Sequence, residues 1–467
     1  MYKLNIILKQ HTPLIHFQHD QEGATLRASE VKPLLDRYLI KNAFGNDFLN
    51  FKELLVGYSP RNEDAIREKY NNGFKALKYK LHITSSGRNQ NVILKKEQRE
   101  NRDGEMKWYS YWEKIQDRTI DFPLILSNMG GKYNDGDLLN LSLCDGDIIM
   151  NFIIPDNELY LYIKDWIDIF FATHNFGQRS TKGFGSFSVT TIIDNDNNVE
   201  TYNFPTSDLP EETPFMKMKL SGMNDRQKQL CLFQTIDFYW KCLKSGINFT
   251  RNRQYLNRYI KSFLWTYLDR NEKTWEKRFV KEEFYLTTGN ERQENHHPKS
   301  FARAMLGCPD KFEYNNKGKV IEISHNEDDV EKKIARIPSP IIFKPILTND
   351  IVRIYIFFDK SIQENVRNSN NKTFKFTCGN RTRTLDINPN TIDYKHLIQT
   401  YHIFLKETVA KCYFHNDRDE MYQNFVYQHN LEGKHWFIPL DFNWKNILGN
   451  NKWVELYKTK SQCNTPQ

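Results

Sequence analysis

Gly177-Gln-Arg-Ser-Thr-Lys-Gly-Phe-Gly185 separates a helical apolar stripe from an alternating segment at Ser186–Ile193. The stretch holds three glycines, two hydroxyls (Ser180, Thr181) and two cations (Arg179, Lys182), and no acid occurs from His174 to Ser186. Glycine permits positive φ and the close approach of another backbone. Free N–H groups, hydroxyls and cations together suit a phosphodiester chain. Two nucleotide motifs are excluded by register. A P-loop needs Gly-Lys-Ser/Thr after four intervening residues, but Gly183 is followed by Phe184. A dinucleotide fingerprint follows a strand and opens a helix, whereas this loop follows a helix and opens a strand. An ordinary tight turn with surface charge remains the alternative.

Outward from the loop, Asn157–Thr173 reads as a helix, with Leu161, Trp166 (or Asp165), Ile169 and Phe170 as its buried side. Strands are predicted at Leu138–Leu143 and Ile148–Ile154, separated by Asp145-Gly146-Asp147. At the start, Tyr2, Leu4, Ile6 and Leu8 alternate with Lys3, Asn5, Ile7 and Lys9, a half-buried strand. Leu34, Leu35, Tyr38 and Leu39 form a helical stripe, with Pro33 expected at the first helical position and residues 27–32 leading into it. The order strand, helix, two strands, helix, strand predicts a ferredoxin-like (RRM-like) domain over 1–203, with an insertion at 45–120. Residues 204–214 hold three prolines and no periodicity, a linker. A second, helix-rich ferredoxin-like domain is expected over 215–360. Its strand opens at Met216 and Met218, and its second helix runs through Leu256, Tyr259, Ile260, Phe263, Leu264, Tyr267 and Leu268. A helical piece near Ser300–Leu306 and strands at Val320–Ile323, Pro340–Ile346 and Ile351–Phe357 follow. Residues 361–467 form a C-terminal extension with a helix at Tyr394–Val409. The fold class is thus α+β.

The 467 residues exceed one ordinary core, and 39% hydrophobic content excludes global disorder. The net charge of +8 is modest for this length, so an anion-binding surface must come from local segregation. Such segregation exists: Asp194–Pro214 holds six acids and no Lys or Arg, directly after the acid-free loop. The 24 Tyr and 32 Phe serve cores first, and exposed rings are platforms for stacking bases. Seven scattered cysteines with no C-x-x-C pair argue against a zinc ribbon and suit reduced thiols. No apolar run reaches membrane-spanning length, and Met1–Gln10 has no cleavage-site pattern. Cytoplasmic location, no membrane, no metal and no cofactor are the expectations.

The pattern Gly177-x-Arg-Ser-x-x-Gly-Phe-Gly-Ser186 resembles the glycine-rich loop of the RAMP superfamily of CRISPR-associated proteins, which lies between the last helix and last strand of a ferredoxin-like domain. Thr12-Pro13-Leu14 and Leu26–Leu35 resemble the segment leading into the first helix of the first-numbered subunit of the type III-B effector. Phe301–Gly307 and Arg336–Pro345 resemble its second domain. The resemblance spans about 1–200 and 215–358. It implies an RNA-binding structural subunit, gripping the guide RNA 3′ region and adjoining target RNA beside other CRISPR effector subunits, with target cleavage left to backbone subunits.

Under that reading the RNA contacts comprise Gly177, Arg179, Ser180, Thr181, Lys182, Gly183 and Gly185, joined by Arg27, Ser29 and Lys32 at a helix N-terminus suited to anions. Arg303 is a further candidate, as are Arg251 and Arg258 on a basic helix face. The competing reading is a metal-independent endoribonuclease that processes CRISPR precursor RNA. His16 and His19 would then be base and acid, with Lys32 stabilising charge. Ordinary surface histidines in a polar loop are the more economical reading of that pattern.

Overall fold

The structure, a computed structural model, describes residues 1–15, 25–86, 89–100, 106–112, 139–144, 146–202, 213–219, 225–249, 258–260, 262–269, 284, 301–307, 312–316, 319–325, 337–359, 373–386, 392–404 and 441–443. The chain divides into two units. The first comprises 1–213, 219–233 and 343–355; the second comprises 214–218, 234–342 and 356–467. Both combine helices with antiparallel sheets, an α+β fold.

The first unit is built around β1 (Tyr2–Gln10). Its alternation buries Leu4, Ile6 and Leu8 completely on one face, as the period of two dictates. Further strands are β2 (Leu14–Ile15), β3 (Lys80–Ser85), β4 (Asn89–Glu100), β5 (Met106–Trp112), β6 (Leu139–Cys144), β7 (Ile148–Ile154), β8 (Phe187–Ile193) and β9 (Val199–Thr201). One sheet has the order β3-β7-β1-β8-β9, a second β2-β6-β4-β5. β1 runs antiparallel to β7, from Tyr2 opposite Ile154 to Leu8 opposite Ile148. Its other edge meets β8 antiparallel, from Asn5 opposite Ile193 to Gln10 opposite Phe187.

One strand assignment is corrected. The segment at 138–143 was expected beside β7, joined through Asp145–Asp147. Instead β6 pairs with β2 and β4, and β3 lines the edge of β7 from Lys80 opposite Ile153 to Ser85 opposite Ile148. β3 has only two apolar residues, Leu81 and Ile83, both partly buried against the core. The sequence shows the alternating piece Leu77–Ile83 but places it among hairpins of the polar insertion; tertiary pairing puts it at the edge of β7.

Helix α1 (Ala28–Asn42) begins with Arg27 as its N-cap, so Pro33 lies inside it and not at its first position. Without an N–H, Pro33 forgoes the bond to the Ser29 carbonyl. The helix persists because Val31, Leu35, Leu39 and Ile40 are fully buried on the sheet. The short α2 (Phe48–Phe51) and α3 (Glu63–Asn71) fill part of the predicted insertion, and their Phe48, Phe51 and Ile66 join the same core. Helix α4 (Asn157–Thr173) has the expected bounds and is capped by Asp156, which accepts the Leu159 N–H at 2.9 Å. Its buried face is Leu159, Ile163, Ile167, Phe170 and Phe171; the expected Leu161 is exposed, one helical position out of phase.

The second unit contains β10 (Phe215–Lys219) and part of α5 (Asp225–Lys244), then β11 (Ile247–Phe249), β12 (Arg258–Ile260), α6 (Phe263–Asp269), β13 (Phe312–Asn316) and β14 (Lys319–His325). The chain passes through β15 (Ile341–Thr348) and β16 (Ile351–Phe358), most of whose residues belong to the first unit, before β17 (Thr373–Cys378), β18 (Arg381–Asp386), α7 (Tyr394–Phe404) and β19 (Asp441–Asn443) of the second. Strands β13, β14, β17 and β18 form one antiparallel sheet. The helix expected through Leu256–Leu268 is shorter: Arg258–Ile260 is a strand paired with β11, and the helix starts at Phe263. Ser262 caps the start of this helix, its hydroxyl accepting the Trp265 N–H at 3.3 Å. A 3-10 turn at Ala302–Leu306 is wholly buried, tied down by the Tyr394 hydroxyl, which donates to the Met305 carbonyl at 2.6 Å. Phe301 packs edge-on against Phe374 and Phe376. Tyr239, Tyr401 and His402 form a buried cluster in which the Tyr239 hydroxyl meets His402 Nε2 at 2.7 Å. Burial depresses the His402 pKa to about 3.

Candidate functional site

The glycine loop leaves α4 at His174 and closes at its base through an antiparallel bridge between Asn175 and Ser186, where the Phe176 N–H meets the Gly185 carbonyl at 2.9 Å. All three glycines have positive φ: 76°, 89° and 63° at Gly177, Gly183 and Gly185. Arg179 adopts the same left-handed conformation (φ 57°) and starts a 3-10 turn over Ser180–Lys182, which Gly183 terminates.

Two of these glycines are required by the protein's own backbone. A Cβ on Gly177 would lie 2.6 Å from the Ile15 carbonyl oxygen, and one on Gly185 only 1.9 Å from that of Phe176. The loop N–H groups were expected to be free for a ligand; most instead face protein acceptors. Gln178 N–H donates to Ile15 at 2.9 Å and Gly185 N–H to Pro13 at 2.8 Å. Lys182 and Gly183 donate to the Arg179 and Ser180 carbonyls. Thr12 links both sides, donating from its hydroxyl to the Gly183 carbonyl at 2.6 Å and accepting the Ser186 N–H at 2.9 Å. Backbone groups beside a buried strand must find partners, and the strand β2 and its approach supply them. The loop's offer to a ligand therefore lies in the half-buried side chains of Arg179, Ser180 and Thr181.

Beneath the loop lies a polar layer. Asn175 Nδ2 donates to the carbonyls of Ser180 and Phe343, both at 2.7 Å. Lys344 is fully buried and donates from Nζ to His174 and Phe187, also at 2.7 Å. Those two carbonyls flank the loop's ends. Burial drives the Lys344 pKa well below the ordinary lysine range. The Ser186 hydroxyl reaches the Pro345 carbonyl at 2.6 Å. His11 is buried alongside: its Nδ1 accepts the Leu347 N–H at 3.1 Å, which leaves the proton on Nε2 facing Ser188 Oγ at 2.8 Å. Burial first, then the charges of Lys344 and Lys9, hold its pKa well below the usual range, so the ring is neutral. The Lys182 ammonium is buried 5.7 Å from the Phe343 ring centroid.

The first turn of α1 touches the loop through Glu30, whose carboxylate accepts the Gly177 N–H. Burial raises the Glu30 pKa, opposed by that hydrogen bond and by the nearby Arg27. Ser29 is exposed next to it. Lys32 faces elsewhere: Nζ bonds Asp36 at 2.7 Å and the Leu77 carbonyl at 3.0 Å, and sits 3.8 Å from the Tyr79 ring centroid. The structure therefore sets Glu30 against the loop, with Arg27 and Ser29 as its neighbours along the chain, and turns Lys32 toward Asp36, Leu77 and Tyr79 instead.

Other candidates lie apart. Arg303 is in the second unit, in the buried 3-10 turn, with its guanidinium 5.9 Å from the Phe301 ring centroid. Arg258 lies on β12, so no basic helix face includes it. Arg251, His16 and His19 fall outside the described residues. Among the described residues no group of three His, Cys, Asp or Glu is placed to hold a metal, and no helix is long and apolar enough to cross a membrane. Sequence reasoning missed Glu30, Asn175 and Lys344, whose partners are remote in sequence.

A family profile described as the Cmr1 N-terminal domain matches residues 1–247, and one described as the Cmr1 C-terminal domain matches 259–421. The chain belongs to the Cmr1 family. Cmr1 proteins are CRISPR-associated, in agreement with the resemblance carried by the glycine loop. No curated protein matches this Cmr1-family chain. Solved structures that it resembles include apo Cmr1 from Pyrococcus furiosus, at 11% identity, covering 77% of this chain and 88% of that one, with a TM-score of 0.32. Another is a chain of the type III-B Cmr-beta complex bound to cognate target RNA, at 11% identity, covering 76% and 94%, with a TM-score of 0.34.

Proposed function

We propose that this Cmr1-family protein is a structural, RNA-binding subunit of a type III-B CRISPR effector in antiviral defence. It works in the cytoplasm beside other effector subunits, on the guide RNA 3′ region and adjoining target RNA. The observation that supports this reading is a loop whose backbone is fastened from below while Arg179, Ser180 and Thr181 stay half-exposed, and which meets the first turn of α1 through Glu30. A fixed cation and hydroxyls suit a phosphodiester backbone and carry no base readout. Guide–target pairing then supplies sequence specificity. The order of connections in the first unit, with β1 central between β7 and β8 and helices α1 and α4 between strands, supports a RAMP-type ferredoxin-like domain there. A second such domain in 215–360 belongs to the same proposal. Nothing observed favours the endoribonuclease.

Guide-RNA binding by the Arg179→Ala, Lys182→Ala double variant, measured across a salt series, tests the loop. Affinity should fall, and the slope of log K against log salt should shrink by about 0.7 for each phosphate that the variant no longer neutralises. Arg179→Ala alone should reproduce the slope change, because the Lys182 ammonium is buried over Phe343. Unchanged binding by the double variant would sink the assignment.

A further inference from the structure

Glu30 is an acid placed where everything else suits an anion. Arg27 precedes it, Ser29 is exposed beside it, and its carboxylate is fixed by the Gly177 N–H of the loop itself. A phosphate gains nothing from a carboxylate neighbour, since like charges repel. Any role of Glu30 toward a bound strand therefore lies with a part of the strand that donates hydrogen bonds. An ionised carboxylate is acceptor-only, with about four lone-pair positions, and the Gly177 N–H takes one of them. The donors on a nucleic acid are base N–H groups and the ribose 2′-hydroxyl. Base donors change with sequence, whereas a 2′-hydroxyl recurs on every ribonucleotide and is absent from DNA.

We propose that Glu30 accepts a hydrogen bond from a ribose 2′-hydroxyl of the strand held by the Gly177–Gly185 loop, and so selects RNA over DNA. This rests on the RNA-binding reading above and adds recognition of the sugar to that of the phosphates. Glu30 is a half-buried side chain and not a freely rotating surface acid. Fixing the acceptor through Gly177 means little side-chain entropy is lost when the hydroxyl arrives. The competing role is a purely structural tie between α1 and the loop.

The full-length protein is titrated with a mixed-sequence oligoribonucleotide, the same strand fully 2′-fluoro substituted, and the DNA counterpart. The fluoro strand keeps an RNA-like sugar pucker but has no hydroxyl donor. Wild type should prefer the ribo strand over the fluoro strand by about tenfold, the effect of one hydrogen bond to a charged acceptor. Glu30→Ala should bring that ratio close to one. Glu30→Gln keeps an oxygen for the Gly177 N–H but loses the charge, so its ratio should lie between. A structural tie alone would weaken all three strands together and leave the ratio unchanged, which overturns the proposal. Equal binding of ribo and fluoro strands by wild type also overturns it while leaving RNA binding intact. Absence of any RNA binding by wild type instead refutes the RNA-binding reading, and the role of Glu30 with it. Thermal melting monitors folding; if Glu30→Ala does not fold, Glu30→Gln decides, and a wild-type ratio in that variant overturns the inference.

Discussion

At the scale of single residues, the glycines of the loop separate two reasons for being glycine. Gly183 ends a 3-10 turn with φ 89°. Gly177 and Gly185 combine positive φ with neighbouring backbone that leaves no space for a Cβ. The sequence indicated the conformation, because glycine is the residue that adopts it cheaply. It could not indicate that the close neighbours are Ile15 and Phe176 rather than a ligand. Gly185→Ala should therefore destabilise the fold by at least about 2 kcal/mol, from left-handed strain and from displacement of the Phe176 carbonyl. Urea denaturation of the variant measures this; a loss under half that value would mean the loop relaxes easily.

At the scale of elements, α1 shows how local rules yield to packing. Pro33 belongs at a first helical turn on local grounds, yet the helix starts five residues earlier. Burial of Val31, Leu35, Leu39 and Ile40, each fully buried, outweighs the interior proline, whose lost hydrogen bond and clash with the Ser29 carbonyl together cost about 3 kcal/mol. The same helix is fastened to the approach of β3 by Asp36, which is buried and accepts from Lys32 and from the Leu77 N–H. Burial is the main cause of its raised pKa, with Lys32 opposing it. Asp36→Ala leaves the Lys32 ammonium over Tyr79 without its counter-charge and should cost about 3 kcal/mol. Chemical denaturation tests the loss, and RNA affinity of the folded fraction should stay at wild-type level. A selective loss of RNA affinity would return Lys32 to the binding surface.

At the scale of the whole molecule, the first unit gathers three separate stretches of chain, and His11 marks where they meet. Its ring is held by Leu347 and Ser188, and its carbonyl by Gln229 Nε2 at 2.5 Å. Its pKa in the fold lies well below the value near 6.5 that it regains on unfolding. Between those two values only the unfolded chain takes up the proton, so stability falls as pH drops below about 6.5. Thermal melts of wild type and His11→Gln between neutral and mildly acidic pH should show a smaller acid-induced decline in the variant; equal declines would refute this role. What the sequence determined by itself was local: the strand at β1, the bounds of α4, and a glycine loop between a helix and a strand. Periodicity and glycine content act over a few neighbouring residues, so they are legible without a fold. Only the tertiary structure decided which strand lines β7, that most loop N–H groups face inward, and that Lys32, Lys182 and Arg303 are packed rather than displayed. It also revealed Lys344 and Glu30 fastening the loop. The physical reason is separation along the chain: the partners that satisfy these buried groups lie as far as 336 residues away, as Leu347 does from His11, and no local pattern encodes them.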